Sequence, residues 1–278
     1  MFETGLLKGK RILITGGGSG LGAAMGRRFL ALGAELMICG RKLDRLDATA
    51  DEMRKETGGT VTTIACDVRD GAAVDSMMDA IWREAPLDVL VNNAASTFIA
   101  QSEHLSFRAA DAILAPTLHG AMYCTLAAGK RWIDDKHNGV VLSILSTSTI
   151  TGRAFTVPSA MAKSAVLAMT KSLAVEWGPK GIRTVAIAPG PFPTAGASGQ
   201  LRLEGRDASL MRNPMGRVGE HSELTDLASF LVSDRAGYIN GEMVVIDGGA
   251  HLRSSGAEDL LQWTDAQWAE SRAARSRS

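Results

Sequence analysis

The sequence predicts a single α/β domain built on a doubly wound parallel sheet. Two observations carry this prediction: short apolar runs alternate with helix-length segments from about residue 11 to residue 247, and the runs consist mainly of consecutive apolar and β-branched residues. Continuous apolar runs are typical of strands that are buried on both faces of a sheet, and strand–helix–strand repetition is typical of parallel sheets. No change of composition marks a second domain within the 278 residues.

Each expected strand is a run of three to five apolar or β-branched residues. The strands are expected at Ile12–Ile14, Glu35–Cys39, Val61–Ala65, Val89–Val91, Val140–Ile144, Thr184–Ala188 and Met243–Ile246. Helical patterns follow the first three strands at Leu21–Leu32, Leu43–Thr57 and Ala72–Glu84, and a longer one runs from about Pro158 to Trp177. We therefore expect seven parallel strands with helices on both faces of the sheet.

Two segments depart from this alternation. Residues 191–217 are rich in Gly, Pro and small residues, and so long an excursion from this architecture is expected to form a lid over a ligand. Residues 1–250 then form the domain, and residues 251–278 form a C-terminal extension. The extension carries Leu260, Leu261, Trp263 and Trp268, which could pack on the domain or on a neighbouring subunit.

Composition narrows the class of protein. Thirty basic and thirty acidic residues give a net charge of zero, which does not favour nucleic acid as a partner. No run approaches the roughly 20 apolar residues of a membrane span, and the first residues do not resemble a signal peptide. Three scattered cysteines suggest neither a disulfide framework nor a metal site, so we expect a cytoplasmic protein without a bound metal.

A glycine-rich turn follows the first strand and opens the first helix. Glycines in this context allow a tight turn and let the backbone approach a pyrophosphate, which then meets the N-terminus of the helix. The turn therefore predicts a dinucleotide site in a Rossmann-type fold. The residues expected to contact the cofactor here are Gly16, Gly18, Ser19, Gly20, Leu21 and Gly22.

Further cofactor contacts are expected where later strands end. Arg41 and Lys42 follow the second strand, where a basic residue favours the 2′-phosphate of NADP, although both could be solvated loop charges. Asp67 with Val68 follows the third strand, and Asn93 with Ala94 follows the fourth. These residues are expected to line the adenosine site, although each pair alone could simply cap a turn.

Taken together, these motifs resemble the short-chain dehydrogenase/reductase family over nearly the whole chain. The resemblance rests also on Ser146, on Lys163, on Pro189-Gly190-Pro191 with Thr194, and on Asp247-Gly248-Gly249. It implies the strand order 3-2-1-4-5-6-7 and a homotetramer. It also implies that Pro189, Gly190, Phe192 and Thr194 flank the nicotinamide of the cofactor.

Within that family the sequence is most similar to the 2,4-dienoyl-CoA reductases. The similarity rests on the glycine-rich turn, on Val157-Pro-Ser-Ala-Met-Ala-Lys163 and on Thr264-Asp-Ala-Gln-Trp268. Most of the family carries a catalytic tyrosine where this chain has Ser159, and these reductases also lack it there. Some of them carry a substitute tyrosine eleven residues earlier, but that position is Ser148 in this chain.

The expected catalytic residues are Lys163, Ser146, His119 and Ser159. Lys163 lies four residues after Ser159 on one helix face, where its ammonium can stabilise a developing anion; the alternative is a solvated helix lysine. Ser146 matches the substrate-orienting serine of the family, unless its run is only a polar strand end. Ser159 is a poor acid and fits a hydrogen-bonding or spacing role better.

The resemblance also implies that position 119 binds the substrate thioester. A histidine there could donate to the carbonyl or supply a proton, whereas the alternative is a structural helix histidine. The leading hypothesis is thus an NADPH-dependent reductase of a conjugated C=C bond in an unsaturated acyl-CoA. The alternatives are a carbonyl or alcohol oxidoreductase with a different acid and an NADP-binding protein without turnover.

Overall fold

A computed structural model describes residues 3–194, 213–253, 260 and 263–275 of the chain. Within them, seven strands form one parallel sheet in the order β3-β2-β1-β4-β5-β6-β7. The strands are β1 Arg11–Thr15, β2 Glu35–Gly40, β3 Val61–Ala65, β4 Val89–Asn92, β5 Gly139–Ile144, β6 Ile182–Pro189 and β7 Met243–Ile246. All seven predicted strands are confirmed with small shifts at their ends, and the sheet and its order match the predicted fold.

Helices connect the strands and cover both faces of the sheet. They are α1 Gly20–Ala31, α2 Leu43–Thr57, α3 Gly71–Glu84, α4 Phe107–Leu114, α5 Gly120–Asp135, the single turn α6 Ser148–Thr151, α7 Val157–Trp177, α8 His221–Val232 and α9 Asp265–Arg275. A π-helical turn, Ala115–His119, joins α4 to α5. In the described part of the chain, no helix is long and apolar enough to cross a membrane.

Two apolar layers hold the sheet between the helices. Ile12 and Ile14 of β1 pack in one layer with buried residues of α1, α2 and α8, whereas Leu13 packs in the other with residues of α3, α5 and α7. All three side chains are completely buried. Because successive side chains of a strand point to opposite faces, burial on both faces requires the continuous apolar runs seen in the sequence.

The lid and the extension are only partly described. Most of the predicted lid, residues 195–212, lies outside the described residues. Leu261 of the extension also lies outside them. In the extension, the rings of Trp263 and Trp268 pack against each other with their centroids 5.0 Å apart. The roles predicted for these two segments stay predictions.

Candidate active site

A cleft of about 880 Å³ lies at the carboxyl ends of the central strands. The strand order reverses between β1 and β4, so the loops after these two strands diverge and leave a crevice between them. The cleft begins at this crevice and extends past the ends of β2 and β3 on one side and β5 and β6 on the other. This is the position at which open α/β sheets bind their ligands.

The cleft brings together the predicted site residues, with two exceptions. Its lining includes Gly16, Gly18, Ser19, Gly20, Leu21, Arg41, Lys42, Asp67, Val68, Asn93, Ala94, Ser146, Ser159, Lys163, Pro189, Gly190, Phe192 and Thr194. The exceptions are Gly22 and His119. Both residues lie outside the cleft lining.

Gly22 allows α1 to approach the strand ends closely. A Cβ atom at this position would lie 2.6 Å from Nδ2 of Asn93 and 2.7 Å from the carbonyl oxygen of Gly16. Both distances are too short for any side chain. Gly22 thus sets the packing of the helix beneath the cleft, while Gly16, Gly18 and Gly20 line the cleft itself.

Thr15 joins the carboxyl ends of the neighbouring strands β1 and β4. Its hydroxyl oxygen accepts hydrogen bonds from the backbone N–H groups of Asn93 and Ala94, each at 3.0 Å, and donates to the carbonyl oxygen of Val91 at 3.2 Å. The side-chain amide of Asn93 donates back to the carbonyl oxygen of Thr15 at 2.9 Å. Asn93, predicted as a cofactor contact, therefore also holds the glycine-rich turn in place.

The N-terminus of α1 fits an anionic ligand. Ser19 precedes the helix but its side chain makes no capping hydrogen bond, and the first turn contains no acidic residue. In contrast, the Asp70 carboxylate caps α3 by accepting from the N–H groups of Ala72 and Ala73. No side chain of the described residues accepts a hydrogen bond from the first backbone N–H groups of α1. The glycine-rich turn therefore suits the pyrophosphate of a dinucleotide.

Four cationic side chains line the cleft beyond the ends of β2 and β3: Arg41, Lys42, Arg45 and Arg69. Asp67, the one acid among the described lining residues, lies there too and accepts from Arg69 at 2.5 to 3.0 Å. The hydrogen bonds from Arg69 hold the pKa of Asp67 below its usual range. With that carboxylate paired, the positive charge of the other three side chains remains available to an anion.

Lys163 projects from α7 into the wall of the cleft near the end of β5. Its side chain is buried, and its ammonium donates a hydrogen bond to the carbonyl oxygen of Ile144 at the end of β5. Burial lowers the pKa of Lys163 to about 8, because the charged form loses solvation. An ammonium that is partly desolvated interacts strongly with a nearby developing negative charge.

We expect kcat/KM to fall as the pH rises through about 8, the pKa of Lys163. Below this pH the ammonium is charged; above it the neutral amine cannot stabilise an anion, so the rate should fall by roughly tenfold per pH unit. A pH–rate profile of the free enzyme would check this. In Lys163→Arg, which stays charged, any residual activity should lack the alkaline decline; a flat profile of the unmodified enzyme would contradict the prediction.

The serines of the site lie close together at the end of β5. Ser146 lines the cleft, and its hydroxyl accepts from the N–H of Ser148 at 3.3 Å. Ser148 is buried, and Ser159 is half-buried one turn before Lys163 on α7. The structure therefore places both positions at which relatives could carry a tyrosine in the wall of one cleft.

His119 lies outside the cleft lining. Its ring is solvent-exposed and stacks on Tyr123 of α5, with centroids 6.0 Å apart. The stacking follows from helical spacing, since residues four apart lie on the same helix face. In this arrangement the histidine side chain contacts a neighbour on its own helix, and its predicted catalytic role gains no support from the geometry.

Sequence reasoning missed three arginines and a threonine that line the cleft. Arg45 lies one helical turn after Arg41, and Arg69 follows Asp67 by two residues, so simple spacing could have found both. Arg153 and Thr156 lie in the turn between α6 and α7. The signal for these two was their place in the chain between Ser146 and Ser159, because both serines were expected in the site.

The family model for the enoyl-(acyl carrier protein) reductases matches residues 16–251. The chain belongs to the short-chain dehydrogenase/reductase family. Its members are oxidoreductases that use nicotinamide cofactors, and the geometry of the glycine-rich turn fits that class. Among the described residues, no cluster of side chains could hold a metal ion.

Relatives of this short-chain dehydrogenase/reductase span nearly its whole length. A Caenorhabditis elegans protein named probable 2,4-dienoyl-CoA reductase 3 is 40% identical, covering 97% of this chain and 90% of its own. A Bacillus subtilis protein named probable 2,4-dienoyl-CoA reductase is 42% identical, covering 87% of this chain and 97% of its own.

Solved structures of the family superpose on this chain. A short-chain dehydrogenase from Bacillus anthracis is 37% identical with a TM-score of 0.80, over 90% of this chain and 99% of its own. A candidate 2-deoxy-d-gluconate 3-dehydrogenase from Agrobacterium tumefaciens, which has NADP bound, is 31% identical with a TM-score of 0.83, over 91% of this chain and all of its own.

Proposed function

We propose that this enzyme uses NADPH to reduce a conjugated C=C bond of an unsaturated acyl-CoA. The observation that carries the proposal is the lack of a phenol in the cleft. Tyr123 and Tyr238 are the only tyrosines of the chain, and neither lines the cleft. Tyr238 is fully exposed, and Tyr123 stacks on His119.

The missing phenol favours reduction of C=C over reduction of C=O. A ketone that accepts hydride becomes an alkoxide, a strong base that needs an acid such as a phenol with a pKa of about 10. Serine and threonine hydroxyls are much weaker acids. A conjugated thioester needs no such acid, because its electron pair moves to the thioester oxygen.

NADPH supplies the hydride, which adds to the remote carbon of the diene. The electron pair then resides on the thioester oxygen as a dienolate, and a proton from water adds to carbon to give the enoyl-CoA. The chain contributes the Lys163 ammonium, which stabilises the anion and holds the nicotinamide ribose, and the Ser146 hydroxyl, which orients the substrate. We propose no acid role for Ser159, which helps to shape this part of the cleft.

The relatives support this substrate class. Proteins named 2,4-dienoyl-CoA reductases, from bacteria and animals, are 33 to 42% identical to this chain. The zebrafish relative is named as peroxisomal. For this chain we propose the cytoplasm, supported by three buried cysteines that are all free thiols, and a homotetramer, by resemblance to the family.

The preference for NADP rests on charge. Arg41, Lys42 and Arg45 carry no carboxylate partner among the described residues, and all three line the cleft beyond the end of β2. Such cations can make charge-assisted hydrogen bonds to a 2′-phosphate. The related structure with bound NADP is consistent with this preference.

The purified enzyme is expected to oxidise NADPH in the presence of a 2,4-dienoyl-CoA and not a saturated acyl-CoA of the same length. With NADPH deuterated at the transferred position, mass spectrometry should find one deuterium and one solvent hydrogen in the enoyl-CoA product. Turnover of simple ketones without any thioester would favour the carbonyl oxidoreductase instead. Tight NADPH binding without turnover of either class would favour a non-catalytic protein.

A further inference from the structure

Arg153 lies between the two positions at which a tyrosine is missing. It follows Ser148 by five residues and precedes Ser159 by six, and all three residues line the same cleft. A serine side chain is several ångströms shorter than a phenol, so the wall at both positions is set back from the reacting region. A long arginine side chain on the connecting turn can reach the space that the phenols would fill.

The charge of Arg153 is not neutralised by its surroundings. Within residues 3–194 and 213–253, its guanidinium makes no hydrogen bond or ion pair, and only its backbone carbonyl is engaged, by Thr156. The single acid of the described lining, Asp67, lies at the adenosine end and pairs with Arg69. Arg153 is therefore a cation available to a ligand at the nicotinamide end.

The turn that carries Arg153 has a defined and strained backbone. Gly152 has a φ of 64° and Phe155 a φ of 63°, a left-handed conformation that is unfavourable for a bulky residue. The ring of Phe155 is 55% exposed, so burial of the ring does not compensate for this strain. Strained backbone that packing does not explain is concentrated at functional sites.

Two hydrogen bonds keep this turn in place. The carbonyl oxygen of Phe155 accepts from the N–H of Ala100 at 3.0 Å, which joins the turn to the segment after β4. That segment forms the opposite wall of the cleft through Ser96 and Thr97. The buried hydroxyl of Thr156 donates to the carbonyl oxygen of Arg153 itself. Arg153 thus extends from a turn that is hydrogen-bonded to the segment after β4 and leads directly into α7.

We propose that Arg153 is a catalytic residue that stabilises the negative charge on the substrate oxygen during hydride transfer. Its guanidinium takes over the electrostatic role of the missing phenol without giving up a proton, since arginine stays protonated in proteins. The proton that completes the reaction comes from water and adds to carbon. This inference rests on the proposed function, because a dienolate needs a stabilised oxygen but no acid at that oxygen.

Replacing Arg153 by glutamine is expected to lower kcat for a dienoyl-CoA about 100-fold, the usual loss for one oxyanion donor. KM for NADPH should not change. Arg153→Ala should regain activity when guanidinium chloride is added at low concentration, an effect that a structural role would not produce. Arg108→Gln is the matched control, because Arg108 is exposed on α4 and does not line the cleft; it should behave like the unmodified enzyme.

A truncated thioester shows whether Arg153 acts on the thioester oxygen of the substrate or on the phosphates of its CoA moiety. Arg153→Gln should lose the same factor in kcat with a dienoyl thioester of N-acetylcysteamine, which has no phosphate. A loss confined to KM for the full CoA ester, or kcat values equal to those of the Arg108 control, would overturn the proposal.

A binding measurement separates failure of this inference from failure of the proposed function. Acetoacetyl-CoA forms an enolate that absorbs in the near ultraviolet, and binding to the unmodified enzyme should increase the enolate fraction at a given pH. Arg153→Gln should abolish that increase, whether or not the enzyme turns over dienoyl-CoA. An equal enolate fraction on both proteins would contradict a role of Arg153 even if the enzyme is a dienoyl-CoA reductase.

Discussion

Replacing Lys163 by alanine is expected to lower kcat/KM by a factor of about 100 to 1,000, because the charge that stabilises the developing anion is lost. Lys163 is buried and burial lowers its pKa to about 8, so its ammonium acts in surroundings that screen charge poorly. Steady-state kinetics with NADPH and a dienoyl-CoA would measure the loss. Circular dichroism would show whether the variant is folded.

Lys171 provides the matched control for this experiment. It lies on α7 as Lys163 does, but it is exposed and does not line the cleft. Lys171→Ala should therefore keep the activity of the unmodified enzyme. If Lys163→Ala were no worse than this control, the lysine would have no catalytic role, and the reading as a cofactor-binding protein without turnover would gain support.

Replacing Arg41 by aspartate is expected to shift the preference from NADP towards NAD by about 100-fold in the ratio of kcat/KM values. A hydrogen bond to a charged group contributes about 1.5 to 3 kcal/mol, and about 1.4 kcal/mol corresponds to a factor of ten. The new carboxylate would also repel the 2′-phosphate and accept from the ribose hydroxyls of NAD. Kinetics with both cofactors at a fixed substrate concentration would measure the ratio.

Lys55→Asp makes the same change of charge at the far end of α2, where the side chain is exposed and outside the cleft. It should leave the cofactor ratio nearly unchanged, which controls for the altered net charge. Arg45→Asp would test whether the second cation contributes. If Arg41→Asp leaves the ratio unchanged, Arg41 is a solvated loop charge, and the NADP preference must be reconsidered.

The fold could be predicted because its central strands are buried on both faces. Ile12, Leu13 and Ile14 must all be apolar in such a sheet, and the resulting runs are visible without any structure. The cofactor end could be predicted for a related reason. Gly16 has a φ of 66°, and Gly22 meets backbone and amide atoms at distances that leave no room for a side chain, so both positions require glycine and the requirement is visible in the glycine spacing.

The catalytic end was harder to predict, because its residues come together only through turns. The orientation of His119 depends on the π-helical turn from Ala115, and nothing in the spacing of apolar residues reveals such a turn. The access of Arg153 to the cleft depends on left-handed backbone at Gly152 and Phe155. A phenylalanine in that conformation cannot be predicted from residue preferences, which oppose it.

The hydrogen bonds of Thr15 have a consequence for how a cofactor binds. The backbone amides of Asn93 and Ala94 donate to its hydroxyl oxygen, so hydrogen bonds of the protein itself hold this wall of the crevice. Binding to a wall that is already ordered costs less backbone conformational entropy than binding to a flexible loop. A larger part of the free energy of the ligand contacts then appears as affinity.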